Sequence, residues 1–248
     1  MMLAGVLVLI AVAAVAIWKF RAGRQGPRPS AQAPRAANET VGGSLTNIDD
    51  KALFLTWVSN QTNATELLNI GTRLLDEGRL GQAVVCYRRA LQLKPEDEEA
   101  CFNLGVAYAR AGQIAEAERY YREAIKLFPE YVEAHNNLGN LFTRQKRYAD
   151  AVEAFNTALK FAPENASAHN NLGRALAEQG NPAEALKHFA ESARLDTNYV
   201  EARFNMGNAY LVLGQTNEAV GAFRDALRLR PDFVPAAQAL TRLKDVLR

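Results

Sequence analysis

Beyond residue 63 the apolar and polar positions recur every 34 residues. Gly71, Gly105, Gly139, Gly173 and Gly207 share one column of that repeat, and Ala83, Ala117, Ala151, Ala185 and Ala219 share another. The same register brings an aromatic to Tyr87, Tyr121, Phe155, Phe189 and Phe223, and a small residue to Ala90, Ala124, Ala158, Ser192 and Ala226. Each unit carries two apolar stripes at helical spacing, for example Leu104, Gly105 and Tyr108, then Ala117, Tyr121 and Ala124. Gly78, Gly112, Gly180 and Gly214 stand between the stripes, where a left-handed residue ends a helix, and Lys146 takes that place in the third unit. Pro95, Pro129, Pro163 and Pro231 close four units and Thr197 the other. The pattern predicts five helix pairs at 64–97, 98–131, 132–165, 166–199 and 200–233, then a closing helix at 234–248.

Leu104-Gly105, Tyr108, Ala117, Tyr121 and Pro129 within a 34-residue period closely resemble the tetratricopeptide repeat. The resemblance implies an all-α fold: a right-handed α-solenoid of five helix pairs with a concave inner face and a C-terminal capping helix. The family's frequent aromatic near the start of the first helix is absent, that column reading Leu67, Cys101, His135, His169 and Arg203.

At about 100° per residue, Leu67, Ile70, Gly71 and Leu74 gather on one side of the first helix, and Thr65, Asn69, Thr72 and Asp76 on the other. The second set predicts the open face. In later units that face includes Arg110, then Asn140 and Arg144, then Arg174, then Asn208. One of its columns is asparagine five times over: Asn69, Asn103, Asn137, Asn171 and Asn205. Asparagine is a poor helix-interior residue, so propensity does not account for the row. An amide both donates and accepts, which suits it to grip the backbone of an extended peptide without reading side chains. A similar asparagine row occurs in the repeats of the O-linked N-acetylglucosamine transferases, and implies that these five residues hold extended polypeptide. The alternative is that the amides cap or bridge adjacent repeats. Phe102 and Phe204, like Leu68, lie beside the row and would either supply side-chain pockets or pack between repeats. The basic clamp that some repeats of this family use for a C-terminal carboxylate is missing, apart from a matching Asn103.

Residues 1–18 hold no charge, and a helix of that length spans about 27 Å, enough for a hydrocarbon core. Because Lys19, Arg21, Arg24 and Arg28 follow this run instead of preceding it, residues 1–20 read as an uncleaved transmembrane anchor with the repeats on the cytosolic side. That arrangement resembles mitochondrial outer-membrane import receptors and fits a bacterial inner-membrane protein equally. Cleavage near Ala14 or Ala16, placing the repeats in a periplasm or lumen, is the other reading. Residues 21–45, rich in Pro, Ala, Gly and Arg, read as a flexible linker, and 46–63 as a short capping segment built on Ala52–Val58. Asn-x-Thr triplets at Asn38, Asn60 and Asn63 would matter only in a secretory lumen.

Composition narrows the function. The 248 residues carry a net charge of +2, but residues 1–45 hold five basic and one acidic residue, so the remainder is slightly acidic. A near-neutral body offers no basic footprint, and no nucleic-acid partner is expected. Cys86 and Cys101 have neither CxxC spacing nor a histidine cluster, and read as small buried hydrophobes. His135 and His169 share a column and could stack, with His188 expected to be exposed. No third ligand converges on them, so neither metal nor cofactor is predicted. No nucleophile, phosphate-loop or metalloprotease motif occurs, and no catalytic residue is assigned. The expected function is a membrane-anchored adaptor whose groove binds an extended segment of a partner protein. The alternatives are a self-assembling scaffold, forming homo-oligomers, and a non-catalytic subunit of an enzyme or secretion/import complex.

Overall fold

The computed structural model describes residues 51–246, all within one unit of the chain, Ile48–Arg248. Among the described residues there are twelve helices and no strands. Helix α1 (Lys51–Ser59) precedes five pairs: α2 (Ala64–Asp76) with α3 (Leu80–Leu93), α4 (Glu98–Arg110) with α5 (Ile114–Leu127), α6 (Val132–Arg144) with α7 (Tyr148–Phe161), α8 (Ala166–Glu178) with α9 (Pro182–Leu195), and α10 (Val200–Val212) with α11 (Thr216–Leu229). Helix α12 (Val234–Val246) ends the series.

Local chemistry sets these boundaries. Asn63, Asp97 and Asn165 cap α2, α4 and α8, each side chain accepting the N–H three residues on, at 3.2, 2.9 and 2.9 Å. Asn63 therefore spends its amide on a helix start, which gives one of the Asn-x-Thr triplets a structural role. Every first helix ends in the same double hydrogen bond. In the second repeat Gln113 N–H reaches Tyr108 O at 2.9 Å and Gly112 N–H reaches Ala109 O at 3.2 Å. That closure needs a left-handed residue, with φ 74° at Gly112 and φ 61° at Lys146 in the third repeat.

Within each pair the glycine column seats the aromatic column. A Cβ added at Gly139 would lie 2.6 Å from Phe155 Cε1, closer than any carbon can come. Ala83, Ala117, Ala151, Ala185 and Ala219 are fully buried beside these contacts. Second helices pack on the next repeat's first helix, and successive first helices also touch: α2 with α4, α4 with α6, α6 with α8, α8 with α10. No comparable contact joins successive second helices among the described residues. Crowding on one side and splaying on the other put the first helices on the inner side of the curve.

The ends differ from the middle. Phe54 and Val58 of α1 are buried, α1 packs on α3, and the Arg89 guanidinium donates to Gln61 O at 3.2 and 3.0 Å to hold the turn after it. Helix α12 continues the first-helix column of buried alanines, Ala100, Ala134, Ala168 and Ala202, at Ala236. Thr241 and Lys244 stand there where earlier first helices carry Gly105 and Tyr108, so α12 presents no seat for a further aromatic.

The expected single-pass membrane location is corrected. No helix among the described residues is long and apolar enough to cross a membrane, since the first and second helices of the repeats run to 13 and 14 residues against the roughly 20 a span needs. The segments read as an anchor, 1–20, and as a linker, 21–45, lie outside the described residues.

Candidate functional site

Helical geometry alone brings the asparagine row to one face. Leu67, Ile70, Gly71 and Leu74 are buried against the repeat, while Thr65, Asn69, Thr72 and Asp76 are exposed, as the turn of the helix requires. Asn69 is exposed, and Asn103, Asn137, Asn171 and Asn205 are half-buried. Their internal bonding differs. Asn205 Nδ2 donates to Asn170 Oδ1 at 2.9 Å, joining the fifth repeat to the fourth. The Asn137 side chain faces the Tyr121 hydroxyl and opposes the burial that pushes the Tyr121 pKa up to about 12. Asn69, Asn103 and Asn171 make no side-chain hydrogen bond among the described residues, leaving both functions of each amide open.

A second pair of asparagines escaped the sequence reading. Asn136 and Asn170 stand just before the row, in the column that elsewhere reads Leu68, Phe102 and Phe204, and are only 9% and 4% exposed. Asn170 is bonded to Asn205 and, at 3.5 Å, to the Tyr199 hydroxyl. Asn136 Oδ1, one repeat earlier, is buried without a partner among the described residues. The substitution of asparagine for apolar residues in the third and fourth repeats was the available signal.

The remaining expected site residues divide. The Phe102 ring lies 4.9 Å from that of Tyr131 and 5.9 Å from that of Tyr121, and Phe204 lies 5.6 Å from Phe223 and 5.5 Å from Phe233. Both are half-buried, so each ring is held between repeats with part of its surface open. Arg110 Nη1 donates to Leu75 O at 3.0 Å, tying the end of α4 to the end of α2. Arg144, Arg174 and Asn208 are exposed on the same face, and Asn140 is half-buried.

The histidines differ from expectation. His169 pairs with His188, not with His135: the rings stack at 5.3 Å and the two Nδ1 atoms are 3.1 Å apart. His188 is half-buried, because α9 turns it inward against α8. His135 instead sets Nε2 2.9 Å from Pro129 O and stacks on Phe161 at 6.2 Å. Cys86 and Cys101 are buried free thiols whose pKa values burial pushes up to about 12 and about 11, well away from a reactive thiolate.

Repeat length, capped helix pairs and the seated glycine-aromatic contact define a helical-repeat protein. Family models described as tetratricopeptide repeat match residues 104–166, 150–200 and 176–243, and one described as TPR repeat matches 71–112. The chain belongs to the tetratricopeptide repeat family, whose members are protein-interaction scaffolds and typically non-catalytic. No curated protein matches the sequence. Among solved structures, the fold is similar to that of YrrB, described as a TPR protein with an unusual peptide-binding site: TM-score 0.63, 23% identity, over 76% of this chain and 97% of that one. It is similar also to MamA residues 41-end from Desulfovibrio magneticus RS-1, with TM-score 0.64, 20% identity, and 70% and 99% of the two chains covered. A third is TTC0263, a thermophilic TPR protein of Thermus thermophilus, with TM-score 0.57, 21% identity, and 75% and 99% covered. At such identities these structures share the fold alone.

Proposed function

We propose that the chain is a protein-interaction scaffold whose asparagine row binds the backbone of an extended polypeptide segment. The observation that carries this is the row itself: five amides in one register on the first-helix face, of which Asn69, Asn103 and Asn171 have no internal hydrogen bond among the described residues. Helices in contact lie roughly 10 Å apart, and an extended chain advances about 3.3 Å per residue, so one rung would meet about every third residue of the ligand. Asn140, Arg144, Arg174 and Asn208 flank the row and would meet side chains or further backbone, and half-buried Phe102 and Phe204 offer apolar surface along one side of it. Backbone recognition of this kind tolerates varied sequences. In the YrrB structure, described as having an unusual peptide-binding site, a similar scaffold is credited with the same class of ligand.

A second reading has its own observation. The Asn205–Asn170 bond shows that an amide of the row can serve packing between repeats. The test places a photo-crosslinking residue at Arg144 in the full-length chain and compares the parent with the Asn69→Ala, Asn103→Ala, Asn171→Ala variant, circular dichroism confirming helicity. The captured polypeptide segments should be lost in the variant. Their retention would assign the row to packing.

A further inference from the structure

Arg203 and Asn205 are two residues apart, about 200° around a helix, so they address opposite sides of α10. On the side away from the asparagine row, each interface between repeats forms a cleft bounded by one second helix and both helices of the next repeat. One column differs from cleft to cleft: Tyr120, Ala154, His188, Ala222. Tyr120 closes the first by stacking on Tyr108 at 5.6 Å, and His188 closes the third through His169. The alanines leave the second and fourth open, with cavities of about 300 and 410 Å³. The fourth is larger because Ala193 and Gly221 replace Ile125 and Glu153 of the second. Nothing lies within 4 Å of a Cβ added at Gly221, which has no positive φ. Neither packing nor turn geometry asks for glycine there, and mid-helix glycine costs about 1 kcal/mol relative to alanine.

The chemistry at the base of this cleft is unfinished. His135 and His169, in the column of Arg203, bond the proline carbonyls that close the preceding repeats, Pro129 O and Pro163 O. Arg203 Nη1 is buried and meets no acceptor among the described residues. A guanidinium N–H held this way is costly until an oxygen satisfies it, and a carboxylate does so best because it can take two N–H groups at once. Beside it Met206, Tyr210 and Ala222 supply an apolar wall, while two carboxylates line the cleft, Glu218 and Asp225, the second paired with Arg228 at 2.8 Å.

We propose that the cleft between the fourth and fifth repeats binds a carboxylate carried on an aromatic or branched aliphatic group, with Arg203 turning its guanidinium onto the carboxylate and Met206, Tyr210 and Ala222 holding the apolar part. Small organic acids and the C-terminal residue of a polypeptide share that chemistry. The site is separate from the asparagine row and does not depend on it.

Met206 reports on the cleft directly, since the other two methionines are Met1 and Met2. Full-length protein labelled with methyl-¹³C methionine is titrated with 3-phenylpropionate and its amide, and with acetyl-Gly-Ser-Gly-Phe as free acid and C-terminal amide. Both acids should shift the Met206 methyl saturably, with the amides at least about tenfold weaker. Arg203→Leu, the residue the first repeat carries at Leu67, should weaken acid binding to the amide level. Ala222→Tyr should abolish binding by closing the cleft as Tyr120 does, and stands as a second variant should Arg203→Leu misfold. Tighter binding of the peptide acid assigns a polypeptide terminus, and tighter 3-phenylpropionate assigns a small acid. Absence of a saturable shift with either acid, equal binding of amides and acids, or acid binding undiminished in folded Arg203→Leu would overturn the proposal.

Discussion

Asn205 Nδ2 donates to Asn170 Oδ1 across 2.9 Å, linking residues 35 positions apart in adjacent first helices. The acceptor is buried and the donor half-buried, so the bond is shielded from water and its loss leaves a polar group without a partner. A double-mutant cycle with Asn205→Ala and Asn170→Ala, followed by urea unfolding, should give a coupling of about 0.5–1.5 kcal/mol. Additive single effects would mean the bond contributes nothing in solution.

Gly139 is held to a hydrogen by the ring of Phe155. Gly139→Ala places a methyl carbon 2.6 Å from Phe155 Cε1, and because Phe155 is fully buried the ring has little room to retreat. Overpacking of this kind should destabilise the chain by about 1–3 kcal/mol, against the gain alanine normally brings to a helix. Thermal unfolding measures the sign, and a rise in Tm would contradict the packing described.

Lys146 occupies a position that glycine fills in the other four repeats, at φ 61°. A side chain there costs about 1–2 kcal/mol, partly offset because glycine gains freedom when unfolded. Lys146→Gly should therefore stabilise the chain by about 0.5–1 kcal/mol, read from the urea midpoint. Lys146 makes no ion pair among the described residues that its loss would remove.

His169 Nε2 lies 3.0 Å from Pro163 O and so carries the hydrogen, which leaves its Nδ1 to accept from His188 Nδ1 at 3.1 Å. Burial first, then the neighbouring His169 and Lys187, lower the His188 pKa, with Glu184 and Glu191 opposing. A folded value below the unfolded one means the unfolded chain binds the extra proton as pH falls below about 6.5. The His188 contribution to stability is thus intact above that pH and declines on acidification toward the folded value. Parent protein should lose more stability between pH 7.5 and 5.5 than His188→Ala, measured by Tm. Equal losses would show that His188 does not titrate differently on unfolding.

Much of the fold was legible in the sequence because the repeat multiplies every signal. A lone Gly105 says little, but five glycines in one column, each followed sixteen residues later by an aromatic, state a packing rule that the Gly139–Phe155 contact expresses. The face bearing Asn69 was legible for the same reason, being fixed by helical periodicity. Pairings between columns were not. The bond from Asn205 to Asn170 depends on the lateral offset of adjacent first helices, which a one-dimensional register does not carry, and the turn of His188 toward His169 depends on how α9 leans on α8. Arg203, read only as a departure from the family's usual aromatic, acquires its chemistry from the small residues Ala193, Gly221 and Ala222 placed around it by other helices.

The row of asparagines is tested most directly by the dissociation constant of a captured partner segment, measured by fluorescence anisotropy for the parent chain and for the Asn69→Ala, Asn103→Ala, Asn171→Ala variant. Each lost hydrogen bond is worth about 0.5–1.5 kcal/mol, so three should weaken binding by roughly 10- to 2,000-fold. An affinity unchanged within about twofold, in a variant as helical as the parent, would contradict backbone recognition by these amides.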